Sequence, residues 1–223
     1  MDKISIDKEK INNIWFVSDI HYWHKNIVYG ESIWDEKENN CRKFDTIQKM
    51  SSHIVNQINK YVKKDDVLFD LGDWSFGGIK NIWNLRKQLN VKTIHHINGN
   101  HDHHIINNKL LPNCYKTLNN KIIDVSNSDN VCILLDVYSQ DIFNSVNDYL
   151  EIIINGRKIC MMHYPIDEWN DMRKNSIMLH GHIHGEKKYI KNRLDVGIDN
   201  AYRIFGEYKP FNYNEILEIL NNR

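Results

Sequence analysis

No stretch of this 223-residue chain is apolar for long enough to cross a bilayer. The first ten residues alternate charges with isolated apolar side chains and lack the unbroken apolar run of a secretory signal, so a cytoplasmic location is expected. Charge of one sign is missing too. The 29 Lys and Arg equal the 29 Asp and Glu, leaving no global field to draw in a polyanion such as duplex DNA. The four cysteines, Cys41, Cys114, Cys132 and Cys160, form no Cys-x-x-Cys pair, which argues against a disulfide framework and for reduced thiols. Neither an internal repeat nor a low-complexity linker interrupts the sequence, and its length suits one α/β domain over residues 1–223.

What the chain does have is histidine packed closely: His180, His182 and His184 stand at alternate positions around Gly181 and Ile183. Imidazoles this close would repel one another if protonated, and are useful together chiefly around a metal. Anionic and amide partners lie upstream in Asp19-Ile20-His21, Gly72-Asp73, Gly99-Asn100-His101-Asp102 and His163. Each follows an apolar run that reads as a strand.

Those runs cover residues 13–18, 67–69, 92–97, 158–162 and 177–179, with another strand at 193–196. Between 45 and 62, apolar residues at Ile47, Met50, Ile54, Ile58 and Tyr61 trace one helix face, with Asp45 as its expected cap and His53 on the solvent side. A second helix is expected at 79–89 and a closing one at 213–220. Asn155-Gly156 between 149–154 and 158–162 marks a tight β-hairpin. Residues 107–147 read least clearly, with strands expected at 121–125 and 131–137. The order predicts an α/β fold of two packed mixed β-sheets flanked by helices, with polar residues gathered at strand carboxyl ends, where open α/β sheets place ligands.

Asp19-x-His21, Gly72-Asp73, Gly99-Asn100-His101-Asp102, His163 and Gly181-His182-x-His184, in that order, resemble the five signature blocks of the calcineurin-like metallophosphoesterases. The segments 18–24 and 195–200 resemble small microbial and viral members of that superfamily. The resemblance implies an α/β/β/α sandwich and a binuclear centre. Asp19, His21 and His184 would hold one metal, Asn100, His163 and His182 the other, and Asp73 would bridge them. Mixed imidazole, carboxylate and amide donors suit two borderline divalent ions, manganese first, iron or zinc next. The implied reaction is phosphate-ester hydrolysis by a hydroxide shared between the metals. His101 would protonate the leaving group, and Asp102 would fix the His101 tautomer.

Phosphodiesters of small nucleotide-like substrates are the expected targets, because the chain is compact, neutral and without a basic groove for long nucleic acid. Phosphomonoester hydrolysis is the alternative, and a non-catalytic metal-binding scaffold the second. Candidate substrate contacts are His24, Trp23, Trp74, His180 and Tyr164; Tyr22 and Phe76 also adjoin the motifs and could stack on a base. Of His95 and His96, at least one is expected to be structural or exposed. Arg203 and Lys209 are expected at the surface.

Overall fold

The computed structural model describes residues 4–6, 12–32, 42–106, 109–110, 115–118, 121–124, 133–134, 142–185 and 188–222. Along the chain run β1 (Ile4–Ile6), β2 (Ile14–Val17), α1 (Lys25–Tyr29), α2 (Ile47–Tyr61), β3 (Val67–Asp70), α3 (Ile79–Gln88), β4 (Thr93–Ile97), β5 (Ile105–Ile106) and β6 (Lys109–Leu110). After them come β7 (Tyr115–Leu118), β8 (Lys121–Asp124), β9 (Ile133–Leu134), β10 (Ser145–Asn147), β11 (Tyr149–Ile154) and β12 (Arg157–Met162). The chain closes with β13 (Ile177–His180), β14 (Arg193–Asp195), α4 (Ile198–Phe205), β15 (Phe211–Asn212) and α5 (Tyr213–Asn221).

Two five-stranded mixed sheets form, in the orders β10-β4-β3-β2-β15 and β1-β11-β12-β13-β14. Successive side chains of a strand point to opposite faces, and β2 uses both. Ile14 and Phe16 enter the core shared with Phe69, Ile152, Ile159, Leu179 and Leu194 of the two sheets. Trp15 and Val17 face the other way, towards Met50, Ile54 and Ile58 of α2 and Ile82 and Leu85 of α3. This is the expected α/β fold of packed mixed sheets with helical cover.

Helix α2 follows the apolar spacing that predicts it, but its cap is Thr46, whose hydroxyl accepts from the Lys49 N–H at 3.2 Å. Asp45 instead pairs with the Lys49 ammonium one turn on, in solvent. His53 is half-buried against Phe44 and Tyr208, with ring centroids 5.2 and 6.1 Å away, rather than solvent-facing. Asn155 and Gly156, at φ of 50° and 75°, form the two-residue turn that joins β11 to β12. Lys209 is buried, not at the surface: its ammonium meets the Glu215 carboxylate at 2.6 and 2.7 Å and lies 4.0 Å from the centre of the Phe205 ring. Parts of the expected strands 121–125 and 131–137, and Cys41, Cys114 and Cys132, lie outside the described residues.

The topology decides where the polar motifs meet. Strands β2, β3 and β4 are mutually parallel in one sheet, and β12, β13 and β14 in the other. Their carboxyl ends share one rim. The Ser18 N–H donates to the Val196 carbonyl at 3.1 Å, stitching the two sheets together there.

Candidate metal centre

Backbone bonds between loops bring residues distant in sequence to that rim. The Asp19 N–H donates to the Gly72 carbonyl and the His21 N–H to the Asp73 carbonyl, both at 2.9 Å, while the Gly181 N–H reaches the His163 carbonyl at 2.9 Å. Asp19, His21, Asp73, His182 and His184 all adopt positive φ, between 50° and 72°. Side chains held in this sparsely populated region persist only where the surroundings fix them, and such residues cluster at functional sites. Gly72 permits the close approach: at φ 103°, a Cβ there would lie 2.7 Å from the Gly99 backbone and from His163 Nδ1.

Asp19, His21 and His184 form one buried group of possible metal donors, and Asp19, Asp73 and His163 a second that shares Asp19. His21 Nε2 lies 3.7 Å from Asp19 Oδ1 and 3.4 Å from Asp73 Oδ2, and His184 Nε2 lies 3.8 Å from Asp19 Oδ1. The His21 Nε2 atom is buried without a hydrogen-bond partner. A buried ring nitrogen without a partner is costly in a native fold, and a divalent cation would satisfy its lone pair.

Asp73 Oδ2 is the common neighbour: His21, His163 and His101 present Nε2 to it at 3.4, 3.7 and 4.0 Å. Beside it, Asn100 Oδ1 lies 3.0 Å from His163 Nε2 and 2.8 Å from His182 Nδ1. Asn100 and His182 thus join His163 beside the second group of donors.

The electrostatics fit cation binding. Burial, then the charges of Asp19 and Asp102, push the Asp73 carboxyl up to about 9. Burial opposes the Asp19 charge, but the His184, His21 and His163 imidazoles outweigh it and hold Asp19 far below the usual carboxylate range. Burial also holds His21 well below the ordinary imidazole value. Two adjacent buried carboxylates resist ionising together unless positive charge joins them, and neutral imidazoles are the ligating form.

Several residues singled out in the sequence sit elsewhere than expected. Asp102 does not fix the His101 tautomer: its oxygens accept from the N–H groups of Asp73, Trp74 and Gly99 at 2.7, 3.0 and 2.8 Å and face His96 Nε2 at 3.5 Å. It braces two site loops. Trp74 cannot stack on a substrate, because its ring is wholly buried, edge-on to Phe143. His180 is likewise fully buried, with Nδ1 3.0 Å from the Gly181 carbonyl oxygen, so it offers no face to a ligand. Trp23 is 37% exposed and Tyr164 39%. Tyr164 lies edge-on to His163 and His182, at centroid distances of 5.2 and 4.8 Å. His24 stacks on Phe76 with centroids 3.7 Å apart and places Nδ1 3.0 Å from His21 Nδ1. Burial first, then the Arg42, His101 and His184 charges, lower His24 to about 3. His101 is half-exposed and its backbone N–H donates to Asp73 Oδ1 at 2.9 Å.

Two residues escaped the sequence reading. Arg42, wholly buried, donates to the Asp19 and Ile20 carbonyls at 2.6 and 2.8 Å and to both Asp199 oxygens at 2.9 and 2.8 Å. Asp199 in turn lies 2.7 Å from His184 Nδ1. The carboxylate thus fixes His184 with Nδ1 protonated and leaves Nε2 towards Asp19. The signal was the resemblance of residues 195–200 to small superfamily members; Arg42 carries none. Asp195 accepts from the Gly185 and Gly197 N–H groups at 2.7 and 2.6 Å. Burial and the Asp19 charge push it up to about 7.

No family model matches the sequence, and no curated protein does. Among solved structures, a protein of unknown function from Aquifex aeolicus aligns with a TM-score of 0.56 at 19% identity, over 92% of this chain and 98% of that one. The two share a fold. A conserved Streptococcus pneumoniae protein described as a predicted phosphoesterase aligns at a TM-score of 0.35 and 16% identity, over 82% of this chain and 71% of its own. Wild-type Vps29 complexed with zinc, from Entamoeba histolytica, aligns at 0.36 and 14% identity, over 82% and 73%.

Proposed function

We propose that this chain is a metal-dependent phosphoesterase of the calcineurin-like type, preferring phosphodiesters of small nucleotide-like molecules. One observation carries the reading: Asp73 Oδ2 has three imidazole nitrogens within 4.0 Å, and the nearest of them is buried without a hydrogen-bond partner. Asp19, His21 and His184 would hold one divalent ion, Asn100, His163 and His182 a second, and Asp73 would serve both. Mixed nitrogen and oxygen donors favour manganese, with iron or zinc as alternatives.

Bound cations would supply Lewis acidity towards the phosphoryl oxygens and lower the pKa of a water. The chain's own residues do the rest. Asp199 orients His184, and Arg42 holds the Asp19 loop through its carbonyl. The His101 backbone N–H, bonded to Asp73, sets its ring beside the shared carboxylate, from where the half-exposed imidazole passes a proton to the leaving oxygen. The absence of net charge in the sequence disfavours long nucleic acids.

The test is hydrolysis of bis(p-nitrophenyl) phosphate and p-nitrophenyl phosphate by manganese-loaded protein. Turnover of the diester ahead of the monoester, with a loss on the order of 100-fold in His101→Ala, is expected. Monoester preference would replace the diesterase reading with the phosphomonoesterase one. No turnover of either would leave a metal-binding scaffold.

A further inference from the structure

Behind the donor loops lies a buried array of Asp70, His96 and Asp102. Asp70 closes β3 and leads through Leu71-Gly72 to Asp73, while His96 stands across from it on β4 and leads through Ile97-Asn98-Gly99 to Asn100. His96 Nδ1 meets Asp70 Oδ2 at 2.5 Å, and His96 Nε2 faces Asp102 Oδ2 at 3.5 Å. Both carboxylates and the ring are buried. Phe143 stacks on the imidazole at a centroid distance of 4.5 Å and Trp74 meets it edge-on at 6.4 Å, which holds the ring in place.

The two donor loops meet at Asp102 Oδ2. It accepts from the Asp73 N–H at 2.7 Å and from the Gly99 N–H at 2.8 Å, and the Asp102 N–H closes the turn on the Gly99 carbonyl at 3.3 Å. The loops press together there: a Cβ on Gly99 would lie 2.5 Å from the Asp73 nitrogen. The place of Asp102 thus sets how far Asn100 stands from Asp73.

We propose that His96 is a positioning residue for the metal centre: it holds Asp102 through an Nε2–H and so fixes the spacing of Asp73 and Asn100. The proposal rests on the metal-site reading above and deepens it. A bare Nε2 would turn its lone pair on the Asp102 carboxylate, and no other hydrogen-bond partner among the described residues relieves it. An Nε2–H in turn requires a second proton between Asp70 and Nδ1, since two lone pairs do not approach to 2.5 Å. Burial pushes Asp70 up to about 6. Burial opposes a charge on His96, but the Asp102 and Asp70 charges outweigh it and hold the ring above the ordinary imidazole value. Both directions favour keeping the second proton. At 3.5 Å the hold on Asp102 is electrostatic, longer than a formed hydrogen bond, and the low dielectric of a buried site strengthens it.

Calorimetric manganese titrations of two variants, read beside their melting temperatures, separate positioning from structural support alone. The step to follow is the one that His182→Ala abolishes, which marks the ion placed on Asn100, His163 and His182. An Asn amide reaches the Nδ1 place and a Gln amide the Nε2 place. His96→Asn should keep the Asp70 contact and lose the hold on Asp102, so affinity at that step should fall about tenfold while the other step stays within about threefold. His96→Gln should keep that step within about threefold, yet its Tm should lie below that of His96→Asn, because Asp70 is left buried without its partner. Affinity and stability then fall in opposite orders. If affinity instead follows Tm, or if the step is unchanged in His96→Asn, the proposal is overturned and the metal centre stands. Long-range 1H–15N spectra of the wild-type protein need no variant: hydrogen is expected on His96 Nε2, and a bare Nε2 also overturns the proposal. A wild-type chain that takes up no manganese refutes the metal centre first and the His96 role with it.

Discussion

The two donor groups at the rim are built differently. Around Asp19, His21 and His184 every side chain is buried, and each is backed by a further residue: Arg42 behind the Asp19 loop, His24 behind His21, Asp199 behind His184. Around Asn100, His163 and His182 only His163 is buried; Asn100 is exposed and His182 half-exposed. His163 Nδ1 rests on the Leu71 carbonyl at 2.8 Å, and Tyr164 flanks the group from the solvent side. Outer partners fix ligand orientation and basicity, so the first group is preorganised and the second is accessible. If the proposed centre forms, two cations of unequal affinity are expected, the weaker one on the side a substrate can reach.

The largest effect should come from Asp73, which lies among His21, His163 and His101 and which the proposed function places between the two ions. Asp73→Asn is expected to lower kcat by a factor on the order of 1000 or more in the diester assay, since it would remove the charge that the proposed centre shares between both ions. The same carboxyl, with Asp195, governs pH behaviour. Both have folded values raised above the unfolded one, to about 9 and about 7, so the metal-free fold binds more protons than the unfolded chain above about pH 4. Its stability from these groups is therefore greatest at low pH and is lost as pH rises through 7 and towards 9. Melting curves should show metal raising Tm more at pH 8.5 than at pH 5.5; equal gains at the two values would contradict the linkage.

Breaking the backing of the buried group comes next. Asp199→Asn should weaken the tighter metal by roughly 10- to 100-fold and leave the weaker one nearly unchanged in a calorimetric titration. Arg42→Met adds a stability cost of about 3–5 kcal/mol, because Asp199 keeps its charge without its cation, and urea unfolding reads it. The smallest effect belongs to the open group's rim. Tyr164→Ala should raise KM a few-fold, with kcat little changed and Tm unaltered, consistent with an exposed ring that contributes stacking alone.

How far the sequence could be read follows from locality. Donors that end a strand, such as Asp19 after 13–18 or His163 after 158–162, were legible because a buried strand and the polar turn after it are both local patterns. The hairpin at Asn155-Gly156 was legible for the same reason. Trp74 and His180 misled because adjacency to a motif says nothing about which face a side chain takes: Asp73 turns to the rim while its neighbour Trp74 turns into the core. Asp102 misled because a carboxylate next to His101 has a competing use, the loose N–H groups of three site residues. Arg42 could not be found at all, since its partners stand 22, 23 and 157 residues away. The buried Asp70–His96 pair, at 2.5 Å across adjacent strands, was anticipated only as one structural histidine of two; its carboxylate partner depends on strand register.

Metal stoichiometry tests the central claim most directly. Titrating the metal-free protein with manganese in a calorimeter should show two ions per chain in two resolved steps, with the tighter step lost in His184→Ala and the weaker step lost in His182→Ala. A single equivalent, or loss of the same step in both variants, would contradict the account.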